Sequence, residues 1–218
     1  MRAFIILGPP RTGTSLVAGI LHESGISMGE RFVPLEETPA SPTGCYEDIE
    51  FVSVNCSILN RKGRACPKIV LPPTPLEPLT FTWRDRQEVE SLLSQKLTRC
   101  HAVDWGWKDM RTCFLLDLYG PHFDQLNAHL IVTHRSLDRA AHSWQQLKKC
   151  SYETSLLAMA AYYGRAMAFL FENAGRWPVL HLNFDDWFDS FPAQARRLET
   201  FVGVSLNTSI YDAKQRHF

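Results

Sequence analysis

The stretch Arg2-Ala-Phe-Ile-Ile-Leu-Gly-Pro-Pro-Arg-Thr-Gly-Thr-Ser15 decides the fold of this chain. An apolar run of strand type leads directly into a loop that is bracketed by Gly8 and Gly13 and ends in hydroxyl residues. These glycines have the spacing of a Walker A loop, in which backbone N–H groups wrap a phosphate and the next helix points its positive end at it. The pattern predicts a strand, an anion-binding loop and a helix in succession.

The loop lacks the lysine of a Walker A motif, because Thr14 stands at that position. A Walker ATPase or GTPase needs the lysine on its β- and γ-phosphates and a hydroxyl on Mg²⁺. We therefore expect the loop to hold another kind of anion, with Arg11 as the cation. An ordinary Gly/Pro turn between a strand and a helix is the alternative. The combination of a cation, glycines and hydroxyls at a helix start favours the anion site.

Length and charge limit the classes of function. The 218 residues, of which 45% are hydrophobic, can bury one substantial core, and we interpret 1–218 as one domain. Lys+Arg and Asp+Glu both total 23, so the formal net charge is zero. This balance lacks the basic signature of nucleic-acid-binding proteins, and we expect no nucleic-acid partner.

The cysteines and the apolar runs bear on the cellular location. The six cysteines are scattered without a C-x-x-C pair, a spacing that favours buried, reduced thiols over a metal site or a disulfide framework. The first strand is predicted to begin almost at the first residue, and no apolar run approaches transmembrane length. We therefore expect no signal peptide, no membrane span and a cytoplasmic location.

Strand-like and helix-like segments alternate along the chain, which predicts an α/β fold of three layers with a mainly parallel sheet and a P-loop-like phosphate cradle at residues 8–15. Such folds bind ligands beyond the carboxyl ends of their strands. Ser136 is placed to cap the helix that follows the third strand. After the first strand, further strands are predicted at 101–107, 129–134 and 178–182, and helices at 15–24, 47–59, 84–99, 137–149, 153–173 and 191–202.

Two further expectations concern regions outside the cradle. Residues 33–44 are rich in proline, threonine, serine and glycine, and residues 61–83 carry five prolines, so we interpret 33–83 as an insert that forms an acceptor pocket or a lid. In the helix at 153–173, the apolar stripe predicted to face the core consists of Leu156, Leu157, Ala160, Met167 and Phe171.

Taken together, these motifs resemble the PAPS-dependent sulfotransferase family, which binds 3′-phosphoadenosine-5′-phosphosulfate (PAPS) on a P-loop-like fold. Met110 replaces the proline of the family's K-D-P-R segment, and the G-Y-x-E-D segment is slightly rearranged. The segments that carry the resemblance are Gly8–Ser15, Gly44–Asp48, Trp107–Arg111, the pair Arg135 and Ser143, and Leu182–Trp187.

The resemblance implies a role for each matching residue. The cradle residues Pro10, Thr12, Gly13, Thr14 and Ser15 would bind the 5′-phosphosulfate, mainly through backbone N–H groups. Arg11 would meet the oxygen that bridges to the departing 5′-phosphate, with Lys108 as a second cation at the sulfonate. Arg135 and Ser143 would bind the 3′-phosphate. This chemistry uses positioned cations, so the resemblance implies no metal.

The general base is expected to be Glu47, which lies in the segment that resembles G-Y-x-E-D. Asp48 would face a different side. Nearby cations would depress the pKa of Glu47, so this assignment also requires desolvation that offsets their pull. His22, His134 and His142 are the alternative bases.

The resemblance implies an enzyme that transfers a sulfuryl group from PAPS to a hydroxyl or amine of a small molecule, lipid or glycan, releasing adenosine 3′,5′-bisphosphate. An ATP-dependent small-molecule kinase with a deviant P-loop is one alternative. A nucleotide-binding module without turnover is the other.

Overall fold

A computed structural model describes residues 1–34, 36, 44–63, 79–100 and 103–211 of this chain. Within them, four parallel strands form one sheet in the order β2-β1-β3-β4, so the predicted α/β fold with a parallel sheet is confirmed. The strands are β1 (Ala3–Leu7), β2 (Trp105–Lys108), β3 (Ala128–His134) and β4 (Val179–Asn183).

Helices flank the sheet, and their positions follow the predicted alternation closely. They are α1 (Thr14–Glu23), α2 (Ile49–Arg61), α3 (Trp83–Arg99), α4 (Leu116–Tyr119), α5 (Leu137–Lys148), α6 (Tyr152–Glu172), α7 (Asp186–Asp189) and α8 (Phe191–Val202). Short 3₁₀ turns cover Met110–Phe114 and Gly120–His122. The sequence pattern did not predict α4 or these turns, because elements of three to five residues have no measurable hydrophobic period.

The central strand β1 separates two apolar cores. Alternate side chains of a strand point to opposite faces. Ala3, Ile5 and Leu7 accordingly join one core, which contains α2, α3 and a cluster of aromatic rings. Phe4 joins the other core, which contains α1 and α8. Because both faces of β1 are covered, its sequence is a continuous apolar run.

The strand register brings the carboxyl ends of three strands together. Ile6 of β1 lies beside Lys108, the last residue of β2. Leu7, the last residue of β1, lies beside Val132 of β3. The residues that follow β1 and β3 therefore lie next to one another, with the end of β2 on the other side of β1.

The starts of α2 and α5 differ in their capping. Asp48 caps α2 by accepting a hydrogen bond from the backbone of Glu50 at 2.8 Å. Ser136 occupies the N-cap position of α5 as predicted, but its side chain makes no capping hydrogen bond, so that part of the prediction is wrong.

The predicted core stripe of α6 is also wrong. Leu157 is 48% exposed and Phe171 is 85% exposed, whereas Tyr162 is buried. The helix turns a face of mainly small residues toward its neighbours, because α5 and the 3₁₀ turn at 110–114 both pack against it. The buried residues of α6 are Ser155, Ala158, Met159, Ala161, Tyr162, Ala166 and Phe169.

The predicted insert at 33–83 is only partly described. Its helix α2 belongs to the core, since Phe51 and Ile58 are fully buried there. Residue 35 and the ranges 37–43 and 64–78 lie outside the described residues. The acceptor or lid role of this region, and the interpretation of 1–218 as one domain, stay predictions.

The cysteines differ from the sequence-based expectation. Cys56 on α2 is disulfide-bonded, so the prediction of reduced thiols is wrong for this residue, while Cys45, Cys100, Cys113 and Cys150 are free. Disulfides persist mainly in oxidising compartments. This bond counts against the predicted cytoplasmic location. No helix in the described part of the chain is long and apolar enough to cross a membrane.

The cradle is held against β4 by a close contact at Gly13. This residue caps α1 in the left-handed conformation, with φ of 86°. A Cβ atom at this position would fall on the ring of Phe184, which follows β4. Gly13 is therefore required both by its backbone conformation and by the space that Phe184 occupies.

Replacing this glycine should cost more stability than replacing a glycine of equal conformation in open space. Gly25 has φ of 88°, and a Cβ atom added there would have no neighbouring atom within 4 Å, so Gly25→Ala measures the conformational cost alone, about 1–2 kcal/mol. Gly13→Ala should lose about 1–3 kcal/mol more, the usual cost of overpacking a core. Urea unfolding of both variants checks this. Equal losses would show that the Phe184 ring does not clamp the cradle.

Candidate functional site

The cradle after β1 is closed by hydroxyl contacts from its own chain and from β3. Thr12 Oγ1 donates a hydrogen bond to the Pro9 carbonyl at 2.7 Å and lies 2.7 Å from Thr133 Oγ1. Thr12 is buried and its hydroxyl contacts Pro9 and Thr133, so its side chain shapes the loop. Thr14 and Ser15 begin α1, whose first N–H groups have no partner within the helix.

Arg11 connects the cradle to α5. Its backbone is left-handed, with φ of 70°, an uncommon conformation for a residue that is not glycine. Its Nε donates a hydrogen bond to Ser143 Oγ at 2.9 Å. The side chain predicted to meet the leaving oxygen is thus directed at the serine predicted to bind the 3′-phosphate.

Arg135 lies beside the cradle at the end of β3. Its Nη1 donates to the backbone carbonyl of Arg11 at 3.3 Å. Its guanidinium carbon lies 5.0 Å from the centre of the Phe184 ring, and its Nε is 3.4 Å from Asp185 Oδ1. Asp185 also pairs with Arg139 of α5, which is exposed. Phe184 and Asp185 therefore fix the direction of Arg135.

The two arginines make this part of the site electropositive. Burial and the charge of Arg135 together lower the pKa of Arg11. Two guanidinium groups that repel each other in a partly buried site favour an anion that can neutralise both. The structure thus brings together Arg11, Arg135 and Ser143 next to a helix N-terminus, which is an arrangement suited to phosphate.

A second charged cluster lies at the end of β2. Lys108 Nζ contacts Glu47 Oε1 at 2.7 Å, and Arg111 Nη1 contacts Glu47 Oε2 at 3.3 Å. Arg111 Nη1 is also 2.7 Å from Asp109 Oδ1. All four residues are buried. The predicted catalytic residues Glu47 and Lys108 therefore form one ion pair.

Glu47 is held in its ionised form by this environment. Burial acts to raise its pKa, but the charges of Lys108 and Arg111 outweigh burial, and the pKa lies below its usual range. The desolvation that a strong general base requires is present, yet it does not offset the two cations. Glu47 has the protonation state of a base, and its basicity depends on how strongly these cations hold it.

Asp48 faces away from Glu47, as predicted. Its Oδ2 lies 2.6 Å from Lys96 Nζ, and Lys96 also contacts Glu50 at 2.8 Å. This second pair joins α3 to the start of α2. Glu47 is thus followed directly by a residue that a buried lysine fixes in place.

The alternative bases all have structural partners. His134 lies 2.7 Å from both Tyr163 Oη and His181 Nδ1, and burial together with His181 lowers its pKa. His142 contacts Asp138, and the ring of His22 packs against those of Phe32 and Tyr46. No group of three or more metal-ligating side chains occurs among the described residues.

Several residues of the site were not predicted as such. The offset of eight positions between Arg135 and Ser143 indicated that both belong to the site. No local pattern indicated Asn55, because it reaches the site only through the packing of distant segments. Phe184 and Asp185 lie in Leu182–Trp187, the segment that resembles Y-E-D-L, but the sequence assigned them no contact with Arg135.

Comparison with known proteins points to one family. A family model described as the sulfotransferase family matches residues 3–208. The sulfotransferase STF9 from Mycobacterium avium is 16% identical, with a TM-score of 0.51 over 99% of this chain and 66% of its own length. The sulfotransferase STF1 from Mycobacterium tuberculosis is 14% identical, with a TM-score of 0.48 over 100% of this chain and 71% of its own. No curated protein sequence matches significantly.

This chain therefore spans slightly less than two thirds of the length of the Mycobacterium avium enzyme, although the match includes almost all of this chain. At this identity, the likeness shows the fold. The family match, in contrast, extends over nearly the whole chain.

The buried ion pair of Glu47 should contribute stability that depends on pH. Glu47→Gln leaves Lys108 and Arg111 without their carboxylate, and breaking a buried pair in this way costs about 3–5 kcal/mol. Because the folded-state pKa is lowered, the contribution is fully present above the ordinary pKa of 4.5 and is lost as the pH falls through the folded-state value. The measurement is the free energy of unfolding of the wild-type chain and of Glu47→Gln between pH 7 and low pH.

The control is Glu172→Gln at the exposed end of α6, which should change stability by less than about 0.5 kcal/mol at every pH. A loss for Glu47→Gln that stays constant as the pH falls would contradict an ionised Glu47.

Proposed function

The chain belongs to the sulfotransferase family, and from this premise we propose that it transfers a sulfuryl group from PAPS to a hydroxyl or amine acceptor. The observation that carries the proposal is the pair of charged clusters at neighbouring strand ends. Arg11 and Arg135 follow β1 and β3, and Ser143 of α5 contacts Arg11; Lys108, paired with Glu47, ends β2. Such strand ends are where α/β folds bind their ligands.

The residues present fit a donor with two separate anionic groups. A 3′-phosphate needs planar or hydroxyl donors in a confined place, and Arg135 with Ser143 supplies both. A 5′-phosphosulfate needs backbone N–H groups at a helix start, and Gly13, Thr14 and Ser15 supply them. Thr12 closes the turn onto the Pro9 carbonyl, and Pro10 beside it is assigned to the cradle by its place in the loop. The chain is neutral overall, so this local concentration of cations is the feature that supports anion binding.

Arg11 stands between the two anionic positions. Its backbone belongs to the cradle, while its guanidinium contacts Ser143 on the 3′-phosphate side. We propose that this contact positions the guanidinium so that it stabilises negative charge on the leaving 5′-phosphate without losing its support from α5. Ser143 is then both a donor for the 3′-phosphate and a positioning residue for Arg11.

PAPS supplies a sulfuryl group whose transfer leaves negative charge on the 5′-phosphate oxygen. Lys108 is the buried cation at the end of β2, beside the strand that leads into the cradle. We assign it to charge stabilisation at the sulfonate, since a fixed cation in a dry site acts strongly on developing charge. No described residue group suggests a metal in this role, and none is needed for the proposal.

Glu47 is proposed as the general base that receives the proton of the acceptor. Its ion pair with Lys108 makes it a weak base while that pair is intact. An anion that competes for Lys108 weakens the pair, and the pKa of Glu47 then rises toward that of a useful base. The same lysine would thus couple donor binding to base strength.

The acceptor is proposed to be a small molecule, a lipid or a glycan, and the location to be the cytoplasm, against which the disulfide at Cys56 counts. The kinase alternative lacks the Walker lysine, since Thr14 occupies its position. A module without turnover would bind the same nucleotide, so only an assay of transfer separates it from an enzyme.

Nucleotide binding should separate these alternatives. Thermal-shift titration is expected to show stabilisation by adenosine 3′,5′-bisphosphate and none by ATP with Mg²⁺. Arg135→Ala should weaken the bisphosphate by about 2–4 kcal/mol, the scale for stranding a charge partner, and leave adenosine 5′-monophosphate almost unaffected. Arg139→Ala is the matched control, because it removes the exposed arginine that pairs with the same Asp185.

Equal losses for both nucleotides in Arg135→Ala would remove the 3′-phosphate role. Stabilisation by ATP with Mg²⁺ instead of the bisphosphate would favour the kinase.

Transfer of labelled sulfate from PAPS to acceptor libraries tests the activity itself. Lys108→Met should lower turnover by roughly a hundredfold or more and change bisphosphate affinity much less, because its strongest contact forms as charge develops. Lys148→Met, on the exposed end of α5, is the control and should retain full turnover. Normal turnover in a folded Lys108→Met variant would remove Lys108 from the mechanism, and bisphosphate binding without any transfer would favour the module.

A further inference from the structure

A continuous chain of buried contacts leads from the aromatic core to Glu47. Tyr119 Oη donates to Asn55 Oδ1 at 2.6 Å, and Asn55 Nδ2 donates to Asp109 Oδ2 at 2.8 Å. Asp109 in turn contacts Arg111, and Arg111 contacts Glu47. Asn55 and Asp109 are completely buried, and Tyr119 is too. Polar groups buried this deeply are costly unless each is paired. The pairing of each group in this series of hydrogen bonds and ion pairs is therefore strongly specified.

Arg111 is shared unequally between two carboxylates. Its Nη1 is 2.7 Å from Asp109 Oδ1 and 3.3 Å from Glu47 Oε2. The backbone N–H of Arg111 also donates to Asp109 Oδ1, at 2.9 Å, because Asp109 caps the 3₁₀ turn that contains Arg111. Asp109 therefore competes with Glu47 for one guanidinium, and Asp109 has the shorter contact.

Asn55 weakens the attraction of Asp109 for Arg111. Its amide N–H donates to the other oxygen of Asp109 and so delocalises part of the negative charge that attracts Arg111. An amide can present either its NH₂ or its oxygen to a neighbour. The Tyr119 hydroxyl decides which, because it donates to Asn55 Oδ1 and leaves the NH₂ for Asp109.

Tyr119 keeps this role over the whole useful pH range. Burial and, secondly, the charge of Asp109 raise the pKa of Tyr119 well above its usual value of 10, so its hydroxyl stays protonated. Its ring lies 5.6 Å from that of Trp107 in the core. The donor is thus fixed in position as well as in protonation state.

We propose that Asn55 and Tyr119 are positioning residues that divide Arg111 between Asp109 and Glu47 and thereby determine how strongly Glu47 holds a proton. The inference deepens the proposed function, in which Glu47 is the general base. Loss of the Asn55 amide removes a donor from Asp109 directly. Loss of the Tyr119 hydroxyl removes the contact that keeps the Asn55 NH₂ directed at Asp109, and so weakens the same donor. Asp109 then holds Arg111 more tightly, Glu47 loses part of its cationic support, and the affinity of Glu47 for a proton rises.

Other ionisable groups near Glu47 act in the background of this effect. Lys108 contacts it directly from β2. Tyr162 of α6 and Cys45 of its own segment are close enough to feel its charge, and burial raises the pKa of both above their usual values. Because both stay neutral near pH 7, they add no competing charge in the range where Glu47 would act.

The test is a titration of the Glu47 carboxyl by carbon-detected NMR on the full chain, with Glu47→Gln used to assign the signal. Tyr119→Phe keeps the ring and removes only the hydroxyl, and Asn55→Ala is the second variant in case a water replaces that hydroxyl. Both should raise the pKa of Glu47 by about half a pH unit or more, on the scale of one lost charge-assisted contact. Arg111→Gln should raise it further and marks the upper limit.

The matched control is Tyr152→Phe. It also removes a tyrosine hydroxyl that donates a hydrogen bond, here from Tyr152 to the Asp138 carboxylate, at an exposed position outside the chain of contacts. It should leave the Glu47 titration unchanged.

An unchanged pKa of Glu47 in both folded variants would overturn the inference, and so would a loss of stability with no shift, because that result would make the chain merely structural. A raised pKa together with an unmoved acidic limb of the pH–rate profile would support the positioning role and remove Glu47 as the base. Failure of this inference and failure of the proposed function are therefore distinguishable.

Discussion

The parallel register of β1 with both of its neighbours is the constraint on which the candidate site depends. Ile6 lies beside Lys108 and Leu7 lies beside Val132, so the segments that leave β1, β2 and β3 emerge at one edge of the sheet. A slip of one residue would exchange the faces of β1 and break both apolar cores. Packing of the two cores therefore fixes the register of the strands. The register in turn places Lys108, the cradle and Arg135 side by side.

The two charged clusters at that edge differ in how they are neutralised. Arg11 and Arg135 repel each other, and Arg135 has a long contact to Asp185, so this region favours an added anion. Lys108 and Arg111, in contrast, are matched by Glu47 and Asp109 within the protein. A neutral chain can thus concentrate positive charge at one place and keep a matched ion pair at the next.

The matched cluster is expensive to bury, and its surroundings explain why it persists. Desolvation of paired charges is offset only when each remaining polar atom has a partner. Asn55 and Tyr119 supply such partners, and the rings of Trp107 and Phe51, 4.7 Å apart and nearly parallel, close the core beside them. A site built in this way resists reorganisation, which is what electrostatic stabilisation of a transition state requires.

The amino-acid sequence by itself determined the parts of this protein that depend on local patterns. The alternation of strand-like and helix-like segments predicted the parallel α/β fold, and the apolar run before Gly8 with the glycines that follow it predicted a cradle at the end of the first strand, because backbone preferences and strand direction act over short distances. Only the tertiary structure decided the face that α6 buries, the partners of Glu47, the disulfide of Cys56, and the contact from Arg11 to Ser143. The contacts of Glu47 and of Arg11 join residues far apart in the chain, and their burial and charge are set by packing between elements, which no local pattern encodes.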